Sequence, residues 1–150
     1  MSPTVRKAVA ADAPTILELM GEFYPLMAVS FDRRVAGPAL AALLADPAIG
    51  GVWLAELGPS PVGYAVVAFY HSLEFGGRTA LLDDLYVREA HRGRGIGTAV
   101  LKSVERGCRE AGVRALTLEV GRENEGARSL YLAFGFTDRH NEFLMKPLVE

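Results

Sequence analysis

Residues 81–111 read LLDDLYVREAHRGRGIGTAVLKSVERGCREA: an apolar strand from Leu81 to Val87, a basic glycine-rich turn, and a long amphipathic helix. Gly93, Gly95 and Gly97 stand at alternate positions, which permits a tight turn and lets backbone N–H groups approach a ligand without Cβ obstruction. Arg92 and Arg94 bring positive charge to the same turn. From about Gly95 the pattern is helical: Ile96, Val100, Leu101, Val104, Cys108 and Ala111 recur at spacings of three or four, and Gly112 supplies the stop. The turn therefore ends on a helix N-terminus, where unpaired amides and the positive dipole end favour an anion. A pyrophosphate suits that cradle.

The strand before the turn carries two acids. Asp83 and Asp84 interrupt an otherwise apolar run, and burial beside another carboxylate would raise the pKa of one of them toward a range useful for proton transfer. Strict alternation sets Asp83 on the face of Leu81, Leu85 and Val87, and Asp84 with Leu82 and Tyr86, unless a bulge changes the phase.

Arg92-Gly93-Arg94-Gly95-Ile96-Gly97 resembles the R/Q-x-x-G-x-G/A signature of the GNAT N-acetyltransferase superfamily, and Asn124 to Phe136, NEGARSLYLAFGF, resembles that family's N-x-x-A-x-x-x-Y-x-x-x-G-F element at Asn124, Ala127, Tyr131, Gly135 and Phe136. The resemblance spans Leu81 to Phe136. It implies acetyl-coenzyme A as cosubstrate, held at the pyrophosphate by Arg92 to Thr98 (Arg92, Gly93, Arg94, Gly95, Ile96, Gly97 and Thr98), with further contacts at Asn124, Ala127 and Tyr131. It also implies that two parallel strands splay apart, leaving backbone N–H groups around Leu85, Tyr86 and Val87 to meet the thioester oxygen, with Tyr131 as general acid toward the departing thiolate. Leu82 to Val87, LDDLYV, is similar to the L-E-D-F-F-V of diamine acetyltransferases, which points to Asp83 as the base, with Asp84 the neighbouring candidate. Asn124 serves equally as a helix cap.

Around this centre the order of elements reads βααβββαβαβ. Thr4–Val9 is a strand; Asp12 caps a helix that Pro25 ends; Pro38–Ala45 is a second helix; Gly51–Leu57 and Pro61–Tyr70 form a hairpin. After the central unit, Ala115–Val120 is a strand, Asn124–Phe134 a helix and Asn141–Leu148 a closing strand. The fold class is α+β, a mixed and mostly antiparallel sheet with helices on both sides, in one domain of residues 1–150. Glu22, Tyr24, Glu74 and Phe75 fall in the helix and loop that line the acceptor mouth in the family, and Glu119 lies on the solvent side of its strand or near the cleft. Their acidic and aromatic character suggests a small-molecule or peptide amine that is cationic when bound.

A chain of 150 residues, half of them apolar, suffices for one well-buried core. A net charge of −2 gives no general attraction for nucleic acid, and no apolar run approaches membrane-spanning length. One cysteine excludes an intramolecular disulfide and, with three scattered histidines, gives no metal-ligand spacing, so no metal is expected and a cytoplasmic setting is. The G-x-G-x-G run departs from the dinucleotide fingerprint in spacing and in its arginines. The expected activity is direct transfer of acetyl from acetyl-coenzyme A to a primary amine in a ternary complex. The alternative is a non-catalytic acyl-coenzyme A sensing module. Homodimers are common in the family, although no segment of the sequence identifies an interface.

Overall fold

The computed structural model describes residues 1–149, in two compact units, Met1–Leu118 and Glu119–Glu150. The first unit holds strand β1 (Thr4–Lys7), helices α1 (Ala13–Leu26) and α2 (Arg33–Ala45), strands β2 (Gly50–Leu57), β3 (Ser60–Ser72) and β4 (Gly77–Val87), helix α3 (Ile96–Glu110) and strand β5 (Leu116–Leu118). The strands form one sheet in the order β1-β2-β3-β4-β5, antiparallel throughout except for the β4–β5 pair. That parallel pair requires a crossover, which α3 provides.

Several helix ends differ from the sequence expectation. Asp12 does not cap α1 with its side chain; its carboxylate accepts the Val9 N–H at 2.7 Å and pairs with Arg6 at 2.8 Å. Pro25 sits inside the last turn of α1 instead of ending it. Helix α2 begins at Arg33, a turn before Pro38, because Asp32 Oδ1 accepts the Arg34 N–H at 2.9 Å and so starts the helix early.

Helices α1 and α2 cover one face of the sheet. Ile16 and Leu19, both fully buried, pack with Leu40 against Val52, Leu54, Tyr64, Val66 and Tyr86. Each such aliphatic side chain contributes about 1.5–3 kcal/mol through burial. Helix α3 covers the other face: a Cβ at Gly107 would lie 2.6 Å from the Trp53 ring, so the missing side chain lets the helix close on the strand.

The central β3–β4 pair approaches as closely at Gly63. A Cβ there would meet the Tyr86 carbonyl oxygen at 2.5 Å and Val87 Cα at 3.3 Å, both backbone atoms that cannot swing aside. Gly63→Ala is therefore expected to destabilise the protein by about 1–3 kcal/mol, as other overpacked sites do, read as a lower urea midpoint at unchanged slope. An unchanged midpoint would mean that the two strands separate freely at this point.

In the second unit, α4 (Glu125–Phe134) is capped by Asn124, whose Oδ1 accepts the Ala127 N–H at 3.3 Å. It ends at Gly135 in the left-handed conformation, φ 111°, with the Phe136 N–H returning to Tyr131 O at 3.0 Å. The expected closing strand at Asn141–Leu148 does not form: among the described residues this segment belongs to no strand of the sheet, and without a neighbour an extended segment leaves its backbone bonds to water.

Candidate active site

The chemistry of the first unit gathers at one irregularity in β4. Val66 faces Asp84 and Val67 faces Leu82, so Asp83 is the extra residue of a β-bulge. Because cross-strand partners share a face, the bulge sends Leu82 toward α3 while Asp84 and Tyr86 turn toward α1 and α2. Strict alternation had joined Asp84 to Leu82; the bulge separates them. Asp83 is exposed and Asp84 is 7% exposed.

The same bulge re-aims the backbone. Before it, the Ala80 N–H donates to Ala115 O, on the β5 side; after it, the Arg88 N–H donates to Val62 O, on the β3 side. Both are even-numbered residues, so the polarity has reversed between them, and the N–H groups of Leu85 and Val87 point away from β3. The β4–β5 ladder covers only Ala80, Leu81 and Leu82. Among the described residues the Leu85 and Val87 amides thus lie on an open stretch of edge. This is an arrangement that can stabilise a developing oxyanion.

Asp84 is enclosed by tyrosines. Its Oδ2 accepts the Tyr64 O–H at 2.8 Å and the Tyr24 O–H at 3.1 Å. Burial raises its carboxyl to about 6, with neighbouring Asp83 adding to the rise while the two hydroxyls partly offset it. Tyr64 and Tyr24 are pushed up in turn by burial and by the Asp84 charge, which keeps both as donors. Tyr24 also meets Phe31 edge-on at 5.6 Å, a contact that helps hold its ring in place.

Glu22 belongs to a different network. Its carboxylate accepts Arg88 Nη2 at 2.6 Å and the Tyr86 O–H at 3.0 Å, and these hydrogen bonds, Arg88's first, hold it below the usual carboxylate range despite partial burial. Arg88 further reaches Pro61 O at 3.0 Å and Glu18 at 3.5 Å. The pair locks the end of β4 to α1, so Glu22 already has its cation. Glu74 and Phe75 lie in the β3–β4 turn, where Arg114 Nε donates to Phe75 O at 2.7 Å. Asp84 lies seven steps along β4 from Gly77 at that turn, roughly 23 Å at strand rise. Tyr24 is therefore the one expected acceptor residue of this unit that the fold brings to the acid pair.

The glycine turn is built as its sequence suggests. Gly93 and Gly95 have φ of 76° and 79°, in the left-handed region, and nothing stands within 4 Å of a Cβ built on either. The first α3 hydrogen bond is Ala99 N–H to Gly95 O, which leaves the Ile96, Gly97 and Thr98 amides at the helix start without an intrahelical acceptor. Arg92 is turned back onto β4, its Nε donating to Val87 O at 2.9 Å and its guanidinium 5.9 Å from the Tyr86 ring. Open space, free amides and arginines fit a pyrophosphate.

The Acetyltransferase (GNAT) family model matches residues 14–136. The chain belongs to that family. Thialysine N-epsilon-acetyltransferase of Bos taurus is 31% identical over 143 residues, covering 89% of this chain and 84% of the relative. Aminoglycoside N(6')-acetyltransferase type 1 of Stenotrophomonas maltophilia is 31% identical over 141 residues, 91% of this chain and 88% of that protein. Among solved structures, an integron cassette protein from the mobile metagenome of Cole Harbour Salt Marsh superposes with a TM-score of 0.87 at 36% identity, covering 97% of this chain and 91% of the other. The chain is an acetyl-coenzyme A-dependent N-acetyltransferase.

In the second unit of this GNAT acetyltransferase, Tyr131 packs edge-on against Phe136 at 5.7 Å, and burial raises its hydroxyl to about 12. Asn124 and Ala127 are joined by the cap described above, and Glu119 opens the unit. Sequence reasoning missed Tyr64 and Arg88. Arg88 had a legible signal, since Glu18 and Glu22 stand four apart on one face of α1 and call for a cation. Tyr64 had none, because its meeting with Asp84 depends on the bulge. Among the described residues no three His, Cys, Asp or Glu side chains group as a metal site, and no helix is long and apolar enough to cross a membrane.

Proposed function

We propose that this acetyltransferase acts on a small cationic primary amine, with Asp84 accepting the ammonium proton, Asp83 holding the ammonium at the bulge, and Tyr131 protonating the departing thiolate. The supporting observation is the buried Asp84 carboxylate, raised to about 6, one residue from the exposed Asp83 and beside the open Leu85–Val87 amides. A base must hold a proton loosely at working pH yet take one from an ammonium, and a carboxyl near 6 suits this better than an ordinary one. Oδ2 is committed to the tyrosines, and among the described residues Oδ1 has no hydrogen bond, so the proton is taken at Oδ1.

The residues divide the reaction among them. Asp84 leaves the amine neutral; its lone pair attacks the thioester carbonyl carbon while the Leu85 and Val87 amides take the growing charge on oxygen. The carbon–sulfur bond then breaks as Tyr131 gives its proton to sulfur; the nitrogen, positively charged since it attacked, loses its second proton to solvent and becomes the neutral amide, and Tyr131 regains a proton from solvent. No nucleophilic pair for an acetylated enzyme is built at the bulge, which favours direct attack within a ternary complex. The Arg92–Thr98 turn would hold the pyrophosphate of acetyl-coenzyme A, and that cosubstrate supplies the activated acetyl group. The relatives' acceptors, thialysine and aminoglycosides, are both amines and support the class. The proposal includes a cytoplasmic setting, in keeping with a single, buried Cys108.

The test is release of coenzyme A thiol from acetyl-coenzyme A across thialysine, lysine, polyamines, aminoglycosides and N-terminal peptides. Amine-dependent release confined to small cationic acceptors is expected. Release only with peptides would overturn the acceptor class, and none with any amine despite intact coenzyme binding would leave a sensing module.

A further inference from the structure

The sheet face that α3 covers holds a cleft that the chemistry at the bulge does not use. It has a volume of about 360 Å³ and lies between the second half of α3 and strands β1 to β3. Trp53 and Phe69 supply aromatic walls, with Val5 and Pro47 beside them. Small-molecule sites span about 300–1,000 Å³, so a ligand of one or two rings suits this one.

The indole is held in place by the fold. A Cβ at Gly51 would lie 3.2 Å from the Trp53 ring, and one at Gly107 would lie 2.6 Å from it. Strand and helix close on the ring at these two glycines, and 4% of Trp53 remains exposed. Among the described residues neither its N–H nor the Ser103 hydroxyl in the same cleft has a hydrogen-bond partner, and neither atom is sealed from solvent. An indole N–H buried to this degree ordinarily finds an acceptor.

The charges around the cleft set the sign of what it takes. Arg6 is committed to Asp12 at 2.8 Å and to Glu56 at 2.9 Å. Lys7, with Nζ 5.2 Å from the Trp53 ring, and Arg106 have no ion-pair partner among the described residues. Glu110 is the one carboxylate in the lining, so the uncommitted cations outnumber it.

This cleft is distinct from both sites of the acetyl transfer. Trp53 stands opposite Ala65, and Ala65 opposite Leu85, whereas Asp84 stands opposite Val66. Cross-strand partners share a face, so Trp53 and Asp84 lie on opposite faces of the sheet. Gly107 is twelve residues along α3 from Gly95, roughly 18 Å at helix rise.

We propose that the cleft binds a small aromatic anion, an aryl carboxylate in class, with its ring against Phe69 and Trp53 and its anionic group drawn to Lys7 and Arg106. Its oxygens give the Trp53 N–H and the Ser103 hydroxyl the acceptor that the chain does not supply. Inorganic phosphate would leave the aromatic walls in water. A neutral arene would leave the cations and donors unanswered.

The chain has one tryptophan, so its indole N–H gives a single resonance in the proton–nitrogen correlation spectrum of the full chain. Titration with 2-naphthoate should shift that resonance saturably at submillimolar concentration. The uncharged 2-naphthamide, of the same shape, should bind about tenfold more weakly, and so should naphthoate to a variant carrying Lys7→Gln and Arg106→Gln. Arg109→Gln removes an exposed cation of α3 outside the lining and should leave the affinity unchanged. Saturating coenzyme A should not displace the naphthoate. The absence of a saturable shift overturns the proposal, as does equal affinity for acid and amide, undiminished affinity in the double variant, or displacement by coenzyme A.

Discussion

Asp84→Asn is expected to lower kcat/KM for the amine by about 10²-fold or more, the range of a lost general base, and to make the protein more stable than the wild type at alkaline pH. Both effects come from the same burial. In the wild type the carboxyl titrates near 6, so activity should fall as pH drops through that value; the variant should lack this limb. For stability the sign runs the other way. The folded pKa lies above the unfolded value of about 3.9, so the native state binds more protons between the two and stability declines as pH rises from about 4 to about 6. Above that window the cost of the buried charge is complete, on the order of 3 kcal/mol. Asparagine has no charge to desolvate, so the variant's advantage in urea unfolding should grow across the window, less what Tyr64 and Tyr24 lose by donating to an amide. Asp83→Asn provides the contrast: it should raise KM for the amine and keep the acidic limb. Full activity of Asp84→Asn with an unaltered limb would leave Asp84 as an anchor for Tyr24 alone.

The elements of this fold were legible wherever one periodicity held over a long enough stretch. Helix α3 shows its stripe in full, because Ile96, Val100, Leu101, Val104 and Cys108 are buried as their spacing requires. The glycine turn was legible because conformational freedom at Gly93 and Gly95 is a property of the residue itself. Where one side chain decided between two signals, the sequence was misleading. Asp32 captures the start of α2 by a local hydrogen bond that competes with the cue from Pro38. The active-site face of β4 was hidden for a deeper reason. A bulge is an agreement between two strands, and neither Val66-Val67 nor Leu82-Asp83-Asp84 announces it alone. The same holds for Glu22, whose acidic character suggested a substrate cation until Arg88, 66 residues away, took that place. The expected strand at Asn141–Leu148 does not form, because a strand is a relation to a neighbour and the alternation of a single segment does not supply one.

Tyr131→Phe isolates the other half of the proton traffic. The substitution keeps the ring and its edge-on contact with Phe136, so α4 should hold its place and stability should be unchanged. Among the described residues the hydroxyl has no hydrogen-bond partner, hence its removal strands no donor or acceptor. What disappears is one O–H, kept protonated across neutral pH because burial raises it to about 12. Turnover should fall by about 10²-fold, as for a lost general acid, with acetyl-coenzyme A affinity within twofold of the wild type, because the pyrophosphate turn is untouched. The loss should be flat between pH 6 and 9, where neither the tyrosine nor its replacement titrates. The leaving group then separates this role from mere positioning. A thioester of an acidic aryl thiol departs without needing a proton, so the wild-type advantage over Tyr131→Phe should shrink toward unity with that donor. An equal loss with both donors would make Tyr131 a residue that positions the acyl group, and no loss with either would remove it from the mechanism, leaving solvent to protonate the thiolate.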